Sequence, residues 1–276
     1  MKSYLKTSDH FLTKESFNLL YDEKLDMLVT DPQPSDLGKY YDSKEYISHT
    51  DESSGLKNKL YQFVKKINLR SKLALATNHA NNNFSLLDVG AGTGDFLMYA
   101  KTNGWKVEGV EPNDNARLLA QKKSLFLKED LAKLEKERFQ VITLWHVLEH
   151  LPHLEASIAT LCNKLEEEGT LFIAVPNFRS FDARHYKSYW AAYDAPRHLW
   201  HFSKKAIQEL FAKHDMTLVK TKPMWFDSFY VSLLSEEYKT GKKNWLKSFL
   251  VGLWSNLKGI TTQEFSSHIY ILQKQK

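Results

Sequence analysis

Cysteine is nearly absent from this sequence, and long apolar runs are absent altogether. Among 276 residues Cys162 is the single cysteine, which excludes a disulfide framework and a cysteine-based zinc site. No run of 18 apolar residues occurs, and the N-terminus lacks an apolar stretch of signal-peptide length. We therefore expect a protein of a reducing compartment, with a cytoplasmic location by default.

Clustered charge of one sign is also lacking. The 38 basic and 33 acidic residues leave a net charge of +5, but they are scattered along the chain. Nucleic-acid binding usually shows a basic arm or stripe, so we predict no nucleic-acid partner. The hydrophobic fraction of 42% and the charged fraction of 26% are typical of a globular domain of enzyme size.

From residue 84 onward, apolar runs alternate with amphipathic helical stretches. The runs that read as strands are 84–89, 106–110, 139–145, 170–175, 216–221 and 268–272. Strands that alternate with helices indicate a parallel sheet covered by helices. We predict a main domain over residues 51–276, preceded by a small appendage over residues 1–50 that holds two short strands and a turn.

Residues 224–262 are predicted to form a helical insertion before the last strand. The large apolar residues of its second half share one helical face, namely Trp245, Leu246, Phe249, Leu250, Leu253, Trp254 and Leu257. With lysines elsewhere on the helix, this pattern is compatible with a membrane surface. A core or dimer face is the commoner role of such a stripe, so membrane contact is the less favoured interpretation.

The strongest motif is a glycine-rich turn directly after the first predicted strand of the main domain. Residues 86–94 read Leu-Leu-Asp-Val-Gly-Ala-Gly-Thr-Gly, and a helix is predicted to follow. Glycine lets the backbone approach a ligand closely. The spacing is G-x-G-x-G with Asp88 two residues ahead, whereas dinucleotide folds use G-x-G-x-x-G. This spacing favours S-adenosylmethionine over NAD.

Glu111 closes the second predicted strand, 111 − 88 = 23 residues after Asp88. A carboxylate at that point would accept hydrogen bonds from both hydroxyls of a ribose. The alternative is a solvated charge at a strand end. Together with the glycine turn, we interpret Glu111 as a ribose-binding residue.

Three segments together resemble the class I S-adenosylmethionine-dependent methyltransferases, especially a ubiquinone-biosynthesis-like (methyltransferase type 23-like) bacterial subgroup. They are residues 88–94, 107–113 and 144–152, and the resemblance covers about residues 56–220. It implies a doubly wound α/β fold with a mostly parallel seven-stranded sheet, the Rossmann-like methyltransferase fold. It also implies a donor site at the carboxyl ends of the strands.

In the resembled family, an acidic residue after the third strand contacts the adenine amino group, and Asp130 occupies that place here. An N-cap for a helix that begins at Leu131 is the alternative. The residues predicted to bind the donor are Asp88, Gly90, Ala91, Gly92, Thr93, Gly94, Glu111, Pro112, Asp130, Leu131 and Trp145.

Residues 146–150, His-Val-Leu-Glu-His, follow the fourth predicted strand and also fit the H-x-x-E-H pattern of some zinc proteases. The methyltransferase-like context argues against protease chemistry. Ubiquinone-type relatives are associated with a Glu/Glu/His set for a divalent cation, but His146 stands where the first Glu would be. We therefore predict no metal, a catalytic role for His150 and an acceptor contact for His146.

A second polar cluster, residues 190–203, follows the fifth predicted strand and resembles a D-x-P-R-H-L-x-H-F segment of the same subgroup. There Arg197 is predicted to clamp an anionic acceptor, His198 to contact it, and His201 to act as general base. A packed loop with Ser203 as the cap of the next helix is equally open.

The N-terminal region also matches the subgroup in part. Tyr46 lies in an aromatic stretch that resembles one lying over the cofactor in relatives, and we predict an acceptor contact for it, with simple packing as the alternative. The subgroup often has a zinc-binding piece with paired cysteines before a T-x-P-x-P stretch. This chain keeps residues 30–34 in that form and lacks the cysteines, so residues 1–50 are predicted to fold without metal.

The resulting prediction is an S-adenosylmethionine-dependent methyltransferase that methylates an oxygen of a small or lipid-like acceptor. Two other classes stay open: a cofactor-binding module without turnover, and an NAD-dependent dehydrogenase, which would need the longer glycine spacing.

Overall fold

The computed structural model describes residues 1–41, 56–81, 83–134 and 138–275. Tyr46, predicted to contact the acceptor, lies outside these residues. The strands are β1 (Lys2–Ser8), β2 (Ser16–Asp22), β3 (Met27–Asp31), β4 (Ser85–Val89), β5 (Lys106–Val110), β6 (Phe139–Trp145), β7 (Leu165–Pro176), β8 (Trp200–His201), β9 (Met216–Pro223) and β10 (Ser267–Lys274).

The helices separate most of these strands. They are α1 (Leu56–Thr77), α2 (Asp95–Thr102), α3 (Asp114–Gln121), α4 (Leu154–Asn163), α5 (Phe181–Tyr186), α6 (Lys204–Ala212), α7 (Asp227–Thr240) and α8 (Trp245–Thr262). Within the described residues, no helix has an apolar stretch long enough to cross a lipid bilayer.

A six-stranded sheet has the order β5-β4-β6-β7-β10-β9. β4 pairs in parallel with β5 and with β6, so that Asp88 lies opposite Gly109 on one side and Thr143 on the other. All five residues of β4 are buried, as expected for a strand covered on both faces. The prediction of an α/β fold with a mostly parallel sheet is thereby confirmed.

The predicted sheet had seven strands, one more than the structure describes. The region beyond β5 explains the difference. There, Lys128 forms only an isolated parallel bridge with Val110, which is too short to count as a strand. In place of a seventh strand, the described residues beyond β5 therefore contribute a single bridge to this edge of the sheet.

A separate sheet has the order β1-β2-β3-β8, and its pairings are antiparallel. In β2 exposed and buried residues alternate, so that Phe17 and Leu19 point inward. Leu19 and Leu28 of β3 pack in one apolar cluster with Trp190 and Tyr186. The N-terminal region thus has three strands rather than the two predicted, because Lys2–Ser8 forms a further strand that pairs with β2.

The chain divides into two compact units. The first unit contains Met1–Asp42, His146–Ile158 and Ile173–Ile271, and the second contains Ser43–Trp145, Ala159–Phe172 and Leu272–Lys276. In the first unit, α7 and α8 occupy the predicted insertion, and α8 packs against α7 and α5. The predicted boundary at residue 50 stays a prediction.

Candidate functional site

The glycine turn in the second unit connects β4 to α2. Gly90, Gly92 and Gly94 have φ angles of 69°, 55° and 76°, a left-handed conformation that favours glycine. A Cβ at Gly94 would lie 2.8 Å from Leu125 Cδ1, so this glycine is needed for packing. A Cβ at Gly92 would meet no atom within 4 Å. The space beside Gly92 is therefore open to a ligand.

Glu111 follows β5 directly and is buried, with 8% of its surface exposed. Its Oε2 accepts a hydrogen bond from the Gly92 N–H at 2.8 Å, and its Oε1 accepts one from the Asn113 N–H at 2.9 Å. Each carboxylate oxygen can accept a further hydrogen bond. The Ala91 N–H donates to Val110 O at 2.9 Å, which holds the glycine turn against the end of β5 and beside this carboxylate.

Asp88, the acidic residue of β4 before the turn, is buried. Thr143 Oγ1 donates a hydrogen bond to its Oδ1 at 2.6 Å. Burial raises the pKa of Asp88 to about 7, with the hydrogen bond from Thr143 opposing the shift and the charge of Glu111 adding to it. The charge of Asp88 is thus sensitive to its surroundings near neutral pH.

Thr93 is held in place by neighbouring charged side chains. Lys123 Nζ donates to Thr93 O at 2.9 Å and to Asp95 Oδ1 at 2.8 Å. Lys65 Nζ lies 2.7 Å from Asp95 Oδ2, and the two lysines lower the pKa of Asp95 against the effect of burial. The end of the glycine turn is therefore rigid before any ligand arrives.

Trp145, the last residue of β6, has one unpaired polar group. Lys72 Nζ lies 4.3 Å from the centre of its ring, and the ring of Phe96 meets it edge-on at 5.8 Å. Its Nε1 is buried and has no hydrogen-bond partner in the described part of the chain. An unpaired buried N–H is costly, so this donor is suited to a ligand acceptor.

In the first unit, Glu149, His150 and His198 form what we call the Glu149 cluster. Each offers one oxygen or nitrogen, and these atoms lie within 4.8 Å of one another. Glu149 is 1% exposed, and neither of its oxygens has a hydrogen-bond partner among the described residues. A buried carboxylate without hydrogen bonds is unfavourable unless charges or a ligand compensate it.

The tautomers of both histidines follow from their backbone contacts. His150 Nδ1 lies 3.0 Å from Arg197 O, and His198 Nδ1 lies 2.9 Å from Ala192 O. A carbonyl oxygen only accepts, so each Nδ1 carries a proton and each neutral ring keeps its lone pair on Nε2. The Tyr41 hydroxyl oxygen, 2.8 Å from His150 Nδ1, is then a second acceptor of that proton. His198 Nε2 lies 4.0 Å from Glu149 Oε1. Two imidazole rings and a carboxylate thus converge in the cluster.

The charges in the Glu149 cluster follow from burial and mutual contact. Burial and the neighbouring His198 lower the pKa of His150 to about 4. The pKa of Glu149 is also lowered, because the contact with His146 outweighs its burial. At neutral pH the cluster therefore combines an ionised carboxylate with a neutral His150.

His146 lies beside the cluster and is positively charged. Its Nδ1 lies 3.4 Å from Glu149 Oε1, and its Nε2 lies 3.2 Å from Asp227 Oδ2. Although burial opposes the charged form, these two carboxylates raise the pKa of His146 to about 10. Both ring nitrogens are thus protonated, so His146 is unsuited to bind a cation. Its predicted acceptor contact stays a prediction.

A family model described as a methyltransferase domain matches residues 54–221, which is more than half of the chain. The chain belongs to this methyltransferase family. The sequence-based prediction of an S-adenosylmethionine-dependent methyltransferase is thus confirmed at the level of the family, and the dehydrogenase alternative is disfavoured.

Relatives and solved structures agree with this methyltransferase assignment. A ubiquinone biosynthesis O-methyltransferase of Photobacterium profundum is 28% identical over 192 residues, covering 62% of this chain and 78% of the relative. The magnesium protoporphyrin IX methyltransferase of Synechocystis PCC 6803 with bound SAH has a TM-score of 0.56 at 14% identity, covering 86% of this chain and 97% of that chain. The cyclopropane synthase MmaA2 of Mycobacterium tuberculosis has a TM-score of 0.51 at 16% identity, covering 74% and 83%. These structural likenesses show the fold.

In the second unit of the methyltransferase, Asp130 is an N-cap. Its Oδ1 accepts hydrogen bonds from Ala132 N at 2.8 Å and Lys133 N at 3.2 Å, at the start of the 3₁₀ turn Leu131–Lys133. The structure therefore shows the capping alternative. Contact of Asp130 and Leu131 with adenine stays a prediction, since capping uses only one of the two carboxylate oxygens.

Arg197 of the methyltransferase is completely buried among protein groups. Its guanidinium donates to both oxygens of Asp194, to Asp9 Oδ1 at 3.0 Å and to Tyr40 O at 3.2 Å. With 1% of the residue exposed, the guanidinium is enclosed by these groups. These contacts show a structural role, in which Arg197 anchors the segment that carries His198, and the predicted acceptor clamp stays a prediction.

His201 lies in β8 and is buried. Thr30 Oγ1 donates its proton to His198 O at 2.7 Å, so at 3.0 Å it accepts from His201 Nε2. Burial lowers the pKa of His201 to about 3, and the ring packs edge-on against Tyr193. These contacts favour the packing alternative over a catalytic role for His201.

The sequence reasoning missed Asp227 and Lys123, because their partners are distant in the chain and no local pattern marks them.

Proposed function

We propose that this methyltransferase transfers a methyl group from S-adenosylmethionine to an oxygen of a small or lipid-like acceptor. The observation that carries the proposal is the Glu111 carboxylate, which the Gly92 and Asn113 N–H groups fix beside the open space at Gly92. A buried, oriented carboxylate next to a glycine turn fits the two hydroxyls of a ribose.

The other residues of the second unit complete the proposed donor site. Gly90 and Gly92 let S-adenosylmethionine approach the backbone. The unpaired Trp145 Nε1–H is available to donate a hydrogen bond to an oxygen of S-adenosylmethionine. Asp130, whose Oδ2 takes no part in capping, is assigned to the adenine amino group. When bound, the sulfonium supplies an electrophilic methyl group.

The Glu149 cluster is the proposed source of the general base. His150 presents an unprotonated Nε2 because its Nδ1 proton is held by Arg197 O. His150 Nε2 would take the proton of the acceptor hydroxyl as its oxygen becomes the nucleophile. The ionised Glu149 would stabilise the resulting imidazolium.

The cluster also fits a divalent cation. Glu149, His150 and His198 would each supply one ligand atom, and each histidine has its Nδ1 on a backbone carbonyl, as is usual for metal-binding histidines. A cation there would lower the pKa of an acceptor hydroxyl. The prediction of no metal stays our proposal, and loss of turnover after chelation, restored by added metal, would overturn it.

We also propose that the N-terminal region folds without metal. β1, β2 and β3 contain no cysteine, and Leu19 and Leu28 pack against Trp190 and Tyr186 instead. Apolar burial of this kind takes the place of a metal site.

Calorimetry with S-adenosylmethionine and with NAD tests the donor. We expect S-adenosylmethionine to bind and NAD not to bind. A screen with labelled donor across phenols, carboxylates and quinone precursors then tests turnover. Label in a phenol or another hydroxyl compound would support the proposal. Donor binding without any product in the screen would favour a module without turnover, and binding of NAD alone would overturn the donor assignment.

A further inference from the structure

The large apolar residues of α8 point away from the protein. Their exposed fractions range from 39% to 71%, for the residues Trp245, Leu246, Phe249, Leu250, Leu253, Trp254, Leu257 and Ile260. Soluble monomers rarely expose apolar side chains in such a continuous stripe. The stripe runs over the whole helix, at the spacing of one helical face. We call this surface the α8 apolar face.

The face that α8 turns toward the protein is small and polar. Its buried residues are Ser248, Val251, Gly252, Ser255, Asn256 and Gly259. Ser255 Oγ donates to the buried Asp182 Oδ1 at 2.6 Å, and Asn256 Nδ2 donates to Trp225 O at 2.9 Å. The usual arrangement, with apolar residues inside and polar ones outside, is thus reversed in α8.

Close packing prevents α8 from rotating its apolar face inward. A Cβ at Gly252 would lie 3.0 Å from Phe229 Cα, and one at Gly259 would lie 2.6 Å from the ring of Phe265. A leucine or tryptophan could not enter either position. Rotation would also deprive Asp182 of its bond from Ser255. Exposure of the apolar face is therefore built into the packing of the helix.

The charges of α8 are all positive. The helix contains no aspartate or glutamate, and lysines lie before it at Lys242 and Lys243 and within it at Lys247 and Lys258. Lys247 and Lys243 pair with glutamates of α7, at 2.7 Å and 3.6 Å, whereas Lys258 Nζ lies 5.4 Å from the centre of the Trp254 ring. Long lysine side chains at such positions can reach from an apolar surface to anionic groups.

We propose that α8 lies in the surface of an anionic lipid bilayer, with the α8 apolar face among the acyl chains. Apolar residues with tryptophan on one face and lysines at both ends are the pattern of an interfacial helix. A second copy is less suitable, because α8 has no carboxylate to pair with Lys258 of another copy, and the nearby glutamates of α7 already pair with Lys247 and Lys243. The inference does not rest on the proposed acceptor or base.

Vesicle flotation tests the proposal with the full chain. We expect the parent protein to float with vesicles of equal parts phosphatidylcholine and phosphatidylglycerol, and much less with phosphatidylcholine alone. The double variant Leu250→Ser/Trp254→Ser should bind these vesicles at least about tenfold more weakly, since it removes apolar area from the inserted face. The matched control is Leu118→Ser/Phe126→Ser, which removes two exposed apolar residues elsewhere and should float like the parent.

A second measurement needs no variant. Brominated phosphatidylglycerol should quench the tryptophan fluorescence of the parent, because Trp245 and Trp254 would lie at the depth of the acyl chains. Parent protein that neither floats nor is quenched would overturn the proposal. Equal flotation of the α8 variant and the control would also overturn it. A parent that sediments as a dimer without lipid, with the α8 variant a monomer, would show that a second copy covers this face instead.

Discussion

The glycine turn and the Glu149 cluster both contain a buried glutamate, but they differ in how its charge is compensated. In the second unit, both oxygens of Glu111 already accept backbone N–H groups at 2.8 Å and 2.9 Å. In the first unit, Glu149 has histidines nearby but no hydrogen bond from any described residue. Glu111 is thus held in position before a ligand binds and keeps one acceptor position on each oxygen, whereas Glu149 is not positioned by hydrogen bonds and keeps capacity for a proton, a hydroxyl or a cation.

The difference suggests separate tasks for the two regions. A carboxylate held by backbone groups has a fixed position and suits recognition of a constant ligand part. A carboxylate surrounded by histidines with free Nε2 atoms suits a group whose protonation changes during a reaction.

Arg197→Leu should lower the free energy of unfolding by about 3–5 kcal/mol, because it leaves the buried Asp9 and the half-buried Asp194 without their partner. Chemical denaturation measures the change. The control is Arg138→Leu, which removes an exposed pair with Glu167 and should cost about 0–1 kcal/mol. An equal loss of unfolding free energy in the two variants would show that the buried Arg197 pairs do not stabilise the segment that carries the Glu149 cluster.

Gly92→Val should abolish donor binding or weaken it about 100-fold, because the branched side chain would fill the open space beside the turn. Calorimetry with S-adenosylmethionine measures it. Gly104→Val is a matched control, since Gly104 also has a left-handed φ, of 88°, and open space around it. It carries the same backbone strain outside the turn. Comparable loss in both variants would point to strain rather than to a blocked site.

His150→Ala should lower turnover by about 10²-fold or more and leave donor affinity within error of the parent. The reason is that its Nε2 is the proposed base, while the donor residues lie in the second unit. His153→Ala removes an exposed histidine three residues later and serves as control. Turnover of His150→Ala equal to that of the control would remove the base assignment.

Glu111→Ala should weaken donor binding by about 1.5–3 kcal/mol, the usual range for hydrogen bonds to a charged group. Titration calorimetry gives the value. Asp114→Ala is the matched control, because Asp114 is an exposed acid three residues away that pairs with Arg117. An unchanged affinity in Glu111→Ala would contradict the ribose assignment.

The glycine turn was predictable because its signal is local. Asp88 to Gly94 are contiguous, and Glu111 follows at a distance set by one helix and one strand. The Glu149 cluster was only partly predictable. His198 lies 198 − 149 = 49 residues from Glu149, and Asp227 lies 227 − 146 = 81 residues from His146, so only the tertiary fold brings them together.

The sequence patterns also did not specify which polar residues are buried. Arg197 and His201 stand in a polar segment, which indicated a site, but their contacts with Asp9 and Thr30 depend on the N-terminal strands. The periodicity of α8 predicted its apolar face but not its direction. That direction depends on the close approach of Gly252 and Gly259 to neighbouring residues, which a periodic pattern does not reveal.

The smallest expected effect is on the pH dependence of stability. The pKa of His146 is raised from 6.5 to about 10 by Asp227 and Glu149. The folded state therefore binds a proton that the unfolded state releases between these values, so this contribution to stability is complete below about 6.5 and is lost as the pH rises through about 10.

The effect should be modest, because about a third of the His146 side chain is exposed and solvent weakens its pairing. Chemical denaturation across this pH range would compare the parent with His146→Gln, which cannot titrate. We expect the stability difference between them to shrink as the pH rises. A difference that stays constant across the range would show that His146 is not charged in the folded protein, and the Glu149 carboxylate would then lack the cation that distinguishes it from Glu111.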